Sequence, residues 1–490
     1  MIRRATKSKT AESRGGRRLT LYASILSQTF ALVRNVLVAR LLGPEEFGIA
    51  AVIILTINFL DTFSNAGPQN LLVQAKDEDG RPLLAASHSV TLARGLVTSA
   101  LLAVLGGTLS ELFGVRMAWL AVAGLALAAL VSGFLHRGVR MAQREGNFRP
   151  EALNFIFADF ASLVAAVAVA IVTASHVAIV AGLLARSVLL VLTSHVLASE
   201  KYEFNWDRQL IQRFWAFGWP LLINGPLLFL AAQADRLFIS REVGIETLGI
   251  YSAVLVLIAS PSGAILKWLG TIFVPPMARH YHQDGNLNPR GVVFEFTTLS
   301  LVSAATMLVA FTCLGAFAVD LLYGSEFAVT PKVVALIALL QVIRFLRSWP
   351  STLSIAVAAS GGILLSTIIR LLALPAGYAG LLLVGGLEGL LLGFIVGEVL
   401  ALLVSLLIVN RNASRTWSSG LAPLGVLCVL SLAMTWSSDV IAGNLPAQIL
   451  LFSAAAPLGA VLLALSISPS EALARARALK LWSAAGRWRL

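Results

Sequence analysis

The strongest constraint on this chain is a run of apolar blocks, each close to the ~20 residues a helix needs to span hydrocarbon, separated by short polar connections. Bare backbone N–H and C=O groups are not tolerated in lipid, so only helices and closed barrels cross it. Alternation of period two is missing, which argues against a barrel. Hydrophobic residues make up 58% of the chain and charged residues 13%, against about 25% charged in a soluble domain. The expected fold is all-α, an integral membrane protein of about 14 transmembrane helices.

Fourteen candidate spans fall between residues 19 and 467, with the weakest breaks between spans ten and eleven and at Gly385-Gly386. With the N-terminus placed inside, 26 of the 37 basic residues fall on inward-facing connections and tails, and five on the outer side. That asymmetry supports both count and orientation. It predicts a multi-pass membrane protein with both termini cytoplasmic. The net charge of +12 is then a topology signal and not a nucleic-acid footprint. The layout is a basic tail at 1–18, an N-lobe at 19–199 (spans one to six), a cytoplasmic linker at 200–212 and a C-lobe at 213–409 (spans seven to twelve). Two further helices lie in 420–467, and a cationic amphipathic tail at 470–490 reads as lying on the inner leaflet or as a frayed end.

Several chemistries find no support. Cys313 and Cys428 both sit inside apolar runs, and the six histidines show no metal-binding spacing. No Walker loop is present. Arg17-Arg18 precedes no A-x-A cleavage site, so a cleaved export signal is discounted.

An internal repeat organises the spans. Arg34 to Val52 reads RNVLVARLLGPEEFGIAAV and Asp235 to Ala253 reads DRLFISREVGIETLGIYSA. Arg40, Gly43, Glu45, Gly48 and Ile49 recur as Arg241, Gly244, Glu246, Gly249 and Ile250, an offset of 201 residues. Each copy joins one span to the next, and six spans lie between them. An even number preserves orientation, so the halves are predicted to be parallel six-helix lobes around a central cationic cavity, with two helices added at the C-terminus.

The segment VRNVLVARLLGPEEFGIAAV resembles the first-helix signature of bacterial polysaccharide flippases, the Wzx-type lipid-linked oligosaccharide transporters of the multidrug/oligosaccharidyl-lipid/polysaccharide superfamily. ADRLFISREVGIETLGIYSA is similar to the family's seventh-to-eighth helix segment, AQREGNFRPEA at 142–152 to its basic inner loop, and LLYGSEF at 321–327 to an outer turn. The resemblance covers about 20–410 and agrees with 14 spans. It implies a flippase, not an enzyme. The implied substrate is an oligosaccharide or polysaccharide repeat unit linked to undecaprenyl pyrophosphate, and a polysaccharide polymerase and chain-length regulator are implied as partners beside membrane lipids.

A charge in hydrocarbon costs ~2.5–3.5 kcal/mol on insertion scales, so intramembrane charges are functional candidates. Six arginines lie at depth: Arg34, Arg94, Arg186, Arg344, Arg347 and Arg370. The acids at comparable depth are Asp61, Asp159 and Glu398. Arg94, Arg186 and Arg344 are mid-span, roughly 15 Å from either end at 1.5 Å per residue and beyond the reach of snorkelling. Arg34 and Arg370 lie nearer an end, where snorkelling competes; Arg34 also matches a lumen arginine implied by the resemblance. Arg344 and Arg347 share a helix face. A pyrophosphate crossing a low-dielectric lumen needs fixed counter-charge, and guanidinium binds phosphoryl oxygens bidentately without losing its proton. The six arginines are therefore the substrate-binding candidates, set against a reading as structural bridges to the acids. Asp61, Asp159 and Glu398 either hold an arginine, the favoured role, or carry a coupling H+ or Na+; no other cofactor and no metal is expected. Pro220, Gly225 and Pro226 in span seven mark a candidate gate or plain packing kinks. Trp349-Pro350 and Asn65–Pro68 mark other breaks.

Other classes stay open. A cation-coupled multidrug antiporter of the same superfamily would need an acidic lumen. A membrane glycosyltransferase or polymerase would place clustered carboxylates in an outer loop, and the longest, at 319–330 and 237–246, hold none. A nontransporting scaffold is the third.

Overall fold

A computed structural model describes residues 2–64, 71–72, 80–144, 147–284, 291–356 and 367–413. The spans predicted within 420–467, the tail at 470–490, Asn65–Pro68 and Cys428 lie outside the described residues. Within them every regular element is helical: α1 (Ile2–Ser64), α2 (Gly80–Leu112), α3 (Trp119–Ser132), α4 (Gly138–Arg144), α5 (Arg149–Thr173), α6 (Val177–Leu197), α7 (Arg208–Phe238), α8 (Ile245–Asp284), α9 (Val292–Tyr323), α10 (Pro331–Ala356), α11 (Ala373–Val384) and α12 (Gly386–Ala413). Among the described residues nine helices are long and apolar enough to cross a membrane, and α3 is a shorter apolar helix. The all-α, multi-spanning fold expected from the apolar blocks is the fold observed.

Local chemistry sets the element ends. Asp207 caps α7 by accepting backbone N–H groups of Gln209 and Leu210 at 2.9 and 3.1 Å, satisfying donors that a helix start leaves bare. Pro150 and Glu151 open α5, where a proline's missing N–H costs nothing and a carboxylate meets the positive helix end. The segment 1–18, read as a tail, continues the first span as helix from Ile2. Gly385 and Gly386, with φ of 85° and 57°, separate α11 from α12.

The repeat appears as matched backbone geometry. α1 is two helices joined at Gly43, which holds φ 78° and ψ 171°, and Pro44 restarts the second. In the other copy a π-helical turn at Ile239–Val243 ends at Gly244, with φ 132° and ψ 160°, and α8 restarts at Ile245. Residues with a Cβ are strained at such φ, so each break needs glycine. The two restarted helices then cross reciprocally. A Cβ on Gly48 would overlap the carbonyl of Ile245, and one on Gly249 would overlap the carbonyl of Pro44. Gly48 corresponds to Gly249 and Pro44 to Ile245 in the repeat, so the contact is nearly two-fold.

The chain divides into two compact units, 1–253 with 322–327 and 254–321 with 328–490. In the first, α6 lies tightly on α5: a Cβ on Gly182 would sit 2.9 Å from Ala166 Cβ and 3.0 Å from the Ser162 carbonyl. Buried Ala166, Ala170, Ala178 and Ile179 pack there with Val38 of α1. Without a solvent-driven hydrophobic term, helices in lipid associate through such close contact of small residues. In the second unit α11 and α12 form a hairpin in which Gly393 meets the Ala376 carbonyl and Gly397 meets Ala373.

Gly48→Ala or Gly249→Ala should each lower the thermal midpoint of the purified protein, by about 1–3 kcal/mol of overpacking. The double variant should cost less than the sum, because one methyl already forces the crossing apart. Gly107→Ala, whose Cβ meets nothing within 4 Å, should leave the midpoint unchanged or raise it. Additive losses would count against the reciprocal contact.

Candidate functional site

Within the first unit the helices enclose a cavity of about 380 Å³. The second half of α1 supplies Asp61, α2 supplies Arg94, α4 and the turn before it supply Arg140 and Arg137, α5 supplies Glu151, and α6 supplies Arg186. Four arginines thus face two carboxylates. Arg94 donates from Nη2 to Asp61 Oδ1, Arg140 pairs with Glu151 at 2.5 Å, and Arg186 donates from Nε to Asp159 Oδ1 at 2.7 Å. Arg137 is only 6% exposed and donates from Nε to Thr91 Oγ1 at 3.1 Å.

Beside the cavity, Arg34 donates from Nη1 to Ser162 Oγ at 2.6 Å, the serine held forward by the close α5–α6 packing. Arg186 and Asp159 lie within electrostatic reach of it. Its Nε is buried with no hydrogen-bond partner among the described residues.

The second unit builds one cluster on one acid. Glu398 of α12 has a side chain 1% exposed; its Oε1 accepts from Nε of Arg344 at 3.1 Å and of Arg370 at 2.8 Å, and its Oε2 lies 3.3 Å from Arg347 Nε as an ion pair without a hydrogen bond. Arg344 also donates from Nη1 to Gln341 Oε1 at 3.3 Å. The Gly397–Ala373 approach brings the middle of α12 against the start of α11, which sets Arg370 beside Glu398. Arg370 is buried and turned to this carboxylate, so the snorkelling considered for it does not occur.

The six arginines and three acids singled out by depth therefore gather in two places. Arg34, Arg94 and Arg186 stand with Asp61 and Asp159 in the first unit, and Arg344, Arg347 and Arg370 surround Glu398 in the second. Each acid holds at least one arginine, and each group keeps an excess of cation. The bends expected of α7 are not breaks: the helix runs through Pro220, Gly225 and Pro226 unbroken. Gly225 serves close packing, where a Cβ would lie 2.7 Å from the Thr62 carbonyl. α10 likewise continues through Pro350.

Sequence reasoning missed Arg137, Arg140 and Glu151 as cavity residues. All three lie where an apolar block gives way to a basic connection, and there a cation reads as a topology signal. The i, i+3 spacing of Arg137 and Arg140 was the available sign.

The described residues thus form a many-helix membrane fold with two matched glycine breaks and two arginine-rich clusters. Solved structures share it. The chain matches the lipid II flippase MurJ in its inward closed conformation with a TM-score of 0.67 and 13% identity, over 90% of this chain and 97% of that one. It matches an inward-facing multidrug resistance MATE family transporter of the MOP superfamily with a TM-score of 0.63 and 14% identity, over 80% and 97%. At these identities the likeness is one of fold. Sequence carries the assignment further: the family described as polysaccharide biosynthesis protein matches residues 37–331, and the chain belongs to that family. It is 27% identical over 327 residues to the succinoglycan biosynthesis transport protein ExoT of Rhizobium meliloti (strain 1021), and covers 64% of that relative's length. By its name that relative is a transport protein, and the solved structures share the fold alone.

Removing the acid of the second cluster should be costly. Breaking a buried ion pair from one side costs about 3–5 kcal/mol, and Glu398→Gln would take from Arg344, Arg347 and Arg370 the carboxylate they share. Fluorescence-detected size exclusion should show a large loss of folded protein, partly restored by adding Arg347→Met. An E398Q variant as stable as the parent would contradict this account of the cluster.

Proposed function

We propose that this chain translocates an oligosaccharide or polysaccharide repeat unit linked to undecaprenyl pyrophosphate across the bacterial inner membrane, by alternating access. The carrying observation is the cavity of the first unit, with four arginines against two carboxylates. A chamber lined by surplus positive charge suits an anion, and guanidiniums suit phosphoryl oxygens in particular. At about 380 Å³ the chamber is at the lower end of small-ligand sites, enough for a pyrophosphate and an adjoining sugar while the lipid tail stays in the bilayer. The names of a succinoglycan transport protein and a lipid II flippase among the chain's likenesses point the same way.

Movement needs no covalent step. The cavity opens to the cytoplasmic face, takes the headgroup, and reopens outward, with α7 flexing around Pro220, Gly225 and Pro226 as the gate. Asp61, Asp159 and Glu398 act by holding arginines in place; their pairing leaves less room for a role in carrying H+ or Na+. A polymerase and a chain-length regulator are the partners such a substrate calls for. An organic cation would meet surplus like charge, which disfavours the drug-antiporter reading.

Substituting Arg94, Arg186 and Arg344 together with alanine should abolish movement of a fluorescent undecaprenyl-pyrophosphate sugar across proteoliposomes while membrane expression persists. Undiminished transport in that triple variant would refute the proposal.

A further inference from the structure

Arg137 stands apart from the other cavity cations. Arg94, Arg140 and Arg186 are matched to Asp61, Glu151 and Asp159. Arg137 makes no ion pair with a carboxylate among the described residues, although it is 6% exposed and lines the same chamber. Its side-chain hydrogen bond uses the Nε edge, toward Thr91 Oγ1. That hydroxyl in turn donates to the Ser87 carbonyl at 2.7 Å, so it is committed as an acceptor. Both terminal nitrogens of Arg137 are left without a hydrogen-bond partner among the described residues. Burial, then the like charges of Arg94 and Arg140, pull the Arg137 pKa down to about 9, so it remains a cation at neutral pH.

The backbone beneath this guanidinium is held unusually firmly. The Arg137 N–H donates to His88 Nε2 at 3.1 Å. That role places the His88 proton on Nδ1, which donates to the Glu203 carbonyl at 2.9 Å. The Gly138 N–H donates to His136 Nδ1 at 3.0 Å, and His136 Nε2 donates to the Glu200 carbonyl at 2.9 Å. Two neutral imidazoles thus tie the turn at 133–138 to the linker at 200–203. Tyr202 fills the space between them, its ring centroid 4.4 Å from His88 and 5.3 Å from His136. Rigid support of this kind is what a residue meeting a ligand needs, since a guanidinium held in place loses less entropy on binding.

We propose that Arg137 contacts the phosphoryl group of the substrate directly, and that His88 is its positioning residue, setting the turn from which the guanidinium reaches into the cavity. The proposal rests on the cavity being the phosphoryl site. It adds that the binding charge comes from a residue outside the depth-selected set. Arg94, Arg140 and Arg186, already balanced by carboxylates, contribute less individually.

The test uses the full chain in nanodiscs, titrated with farnesyl pyrophosphate as a soluble prenyl pyrophosphate. Arg137→Gln should lose tenfold or more in affinity, the scale of a hydrogen bond to a charged group, and Arg137→Lys less. Arg186→Gln should lose less than Arg137→Gln, and Arg116→Gln, exposed and outside the cavity, should keep the parent affinity. His88→Leu should weaken binding about fivefold, and His88→Gln, whose amide oxygen can accept the Arg137 N–H, should restore most of it. Parent-like affinity in R137Q, with binding lost in R186Q, would overturn the Arg137 assignment and leave the cavity reading standing. A parent protein that does not bind the probe would overturn both. If R137Q does not fold, arginine-selective footprinting of the parent decides: the ligand must protect Arg137, and unprotected Arg137 overturns the proposal.

Discussion

Everything in this protein answers to the cost of placing guanidinium groups among apolar helices. An arginine in hydrocarbon is expensive, and a carboxylate partner removes most but not all of that cost. The chain meets the constraint by sharing: three arginines gather on Glu398 in one unit, and in the other Arg34 and Arg186 lie around Asp159 while Arg94 takes Asp61. Among the described residues, each of these two groups then holds more guanidiniums than carboxylates. A purely structural network would match charges one to one.

The scaffold that holds these charges is duplicated, and the duplication is written in backbone geometry more than in side chains. Gly43 and Gly244 end one helix and start another at the same position in each copy. Gly48 and Gly249 let the restarted helices meet backbone to backbone. Around that crossing Phe47 packs edge-on against Phe327, with ring centroids 6.1 Å apart, and Tyr251 donates to the buried carboxylate of Asp235. A contact made of main chain brings the two helices closer than side chains would allow.

Much of this was legible in the sequence, because lipid imposes simple rules. Blocks of about twenty apolar residues have no alternative but helix, so α2, α5, α6, α9 and α10 fall where periodicity places them. The repeat motif was legible because both glycine breaks need the same residue at the same offset. Depth alone singled out Arg34, Arg94, Arg186 and the three arginines of the Glu398 cluster. What escaped was tertiary. Arg137 and Arg140 sit at the mouth of a basic connection, and linear sequence does not tell a loop cation from one folded back into a cavity. Nor could it place His88, His136 and Tyr202, which lie 48 to 114 residues apart, around one turn. Pro220 and Pro226 lie within helix that continues through both, as prolines of membrane helices can.

The central claim is that surplus guanidinium charge facing the interior selects an anionic, phosphoryl-linked substrate. The most direct measurement is equilibrium binding of a fluorescent prenyl-pyrophosphate sugar and of a lipophilic organic cation to the same purified protein in nanodiscs. The account predicts saturable binding of the pyrophosphate compound and none of the cation. Saturable binding of the cation, with no binding of the pyrophosphate sugar, would contradict it.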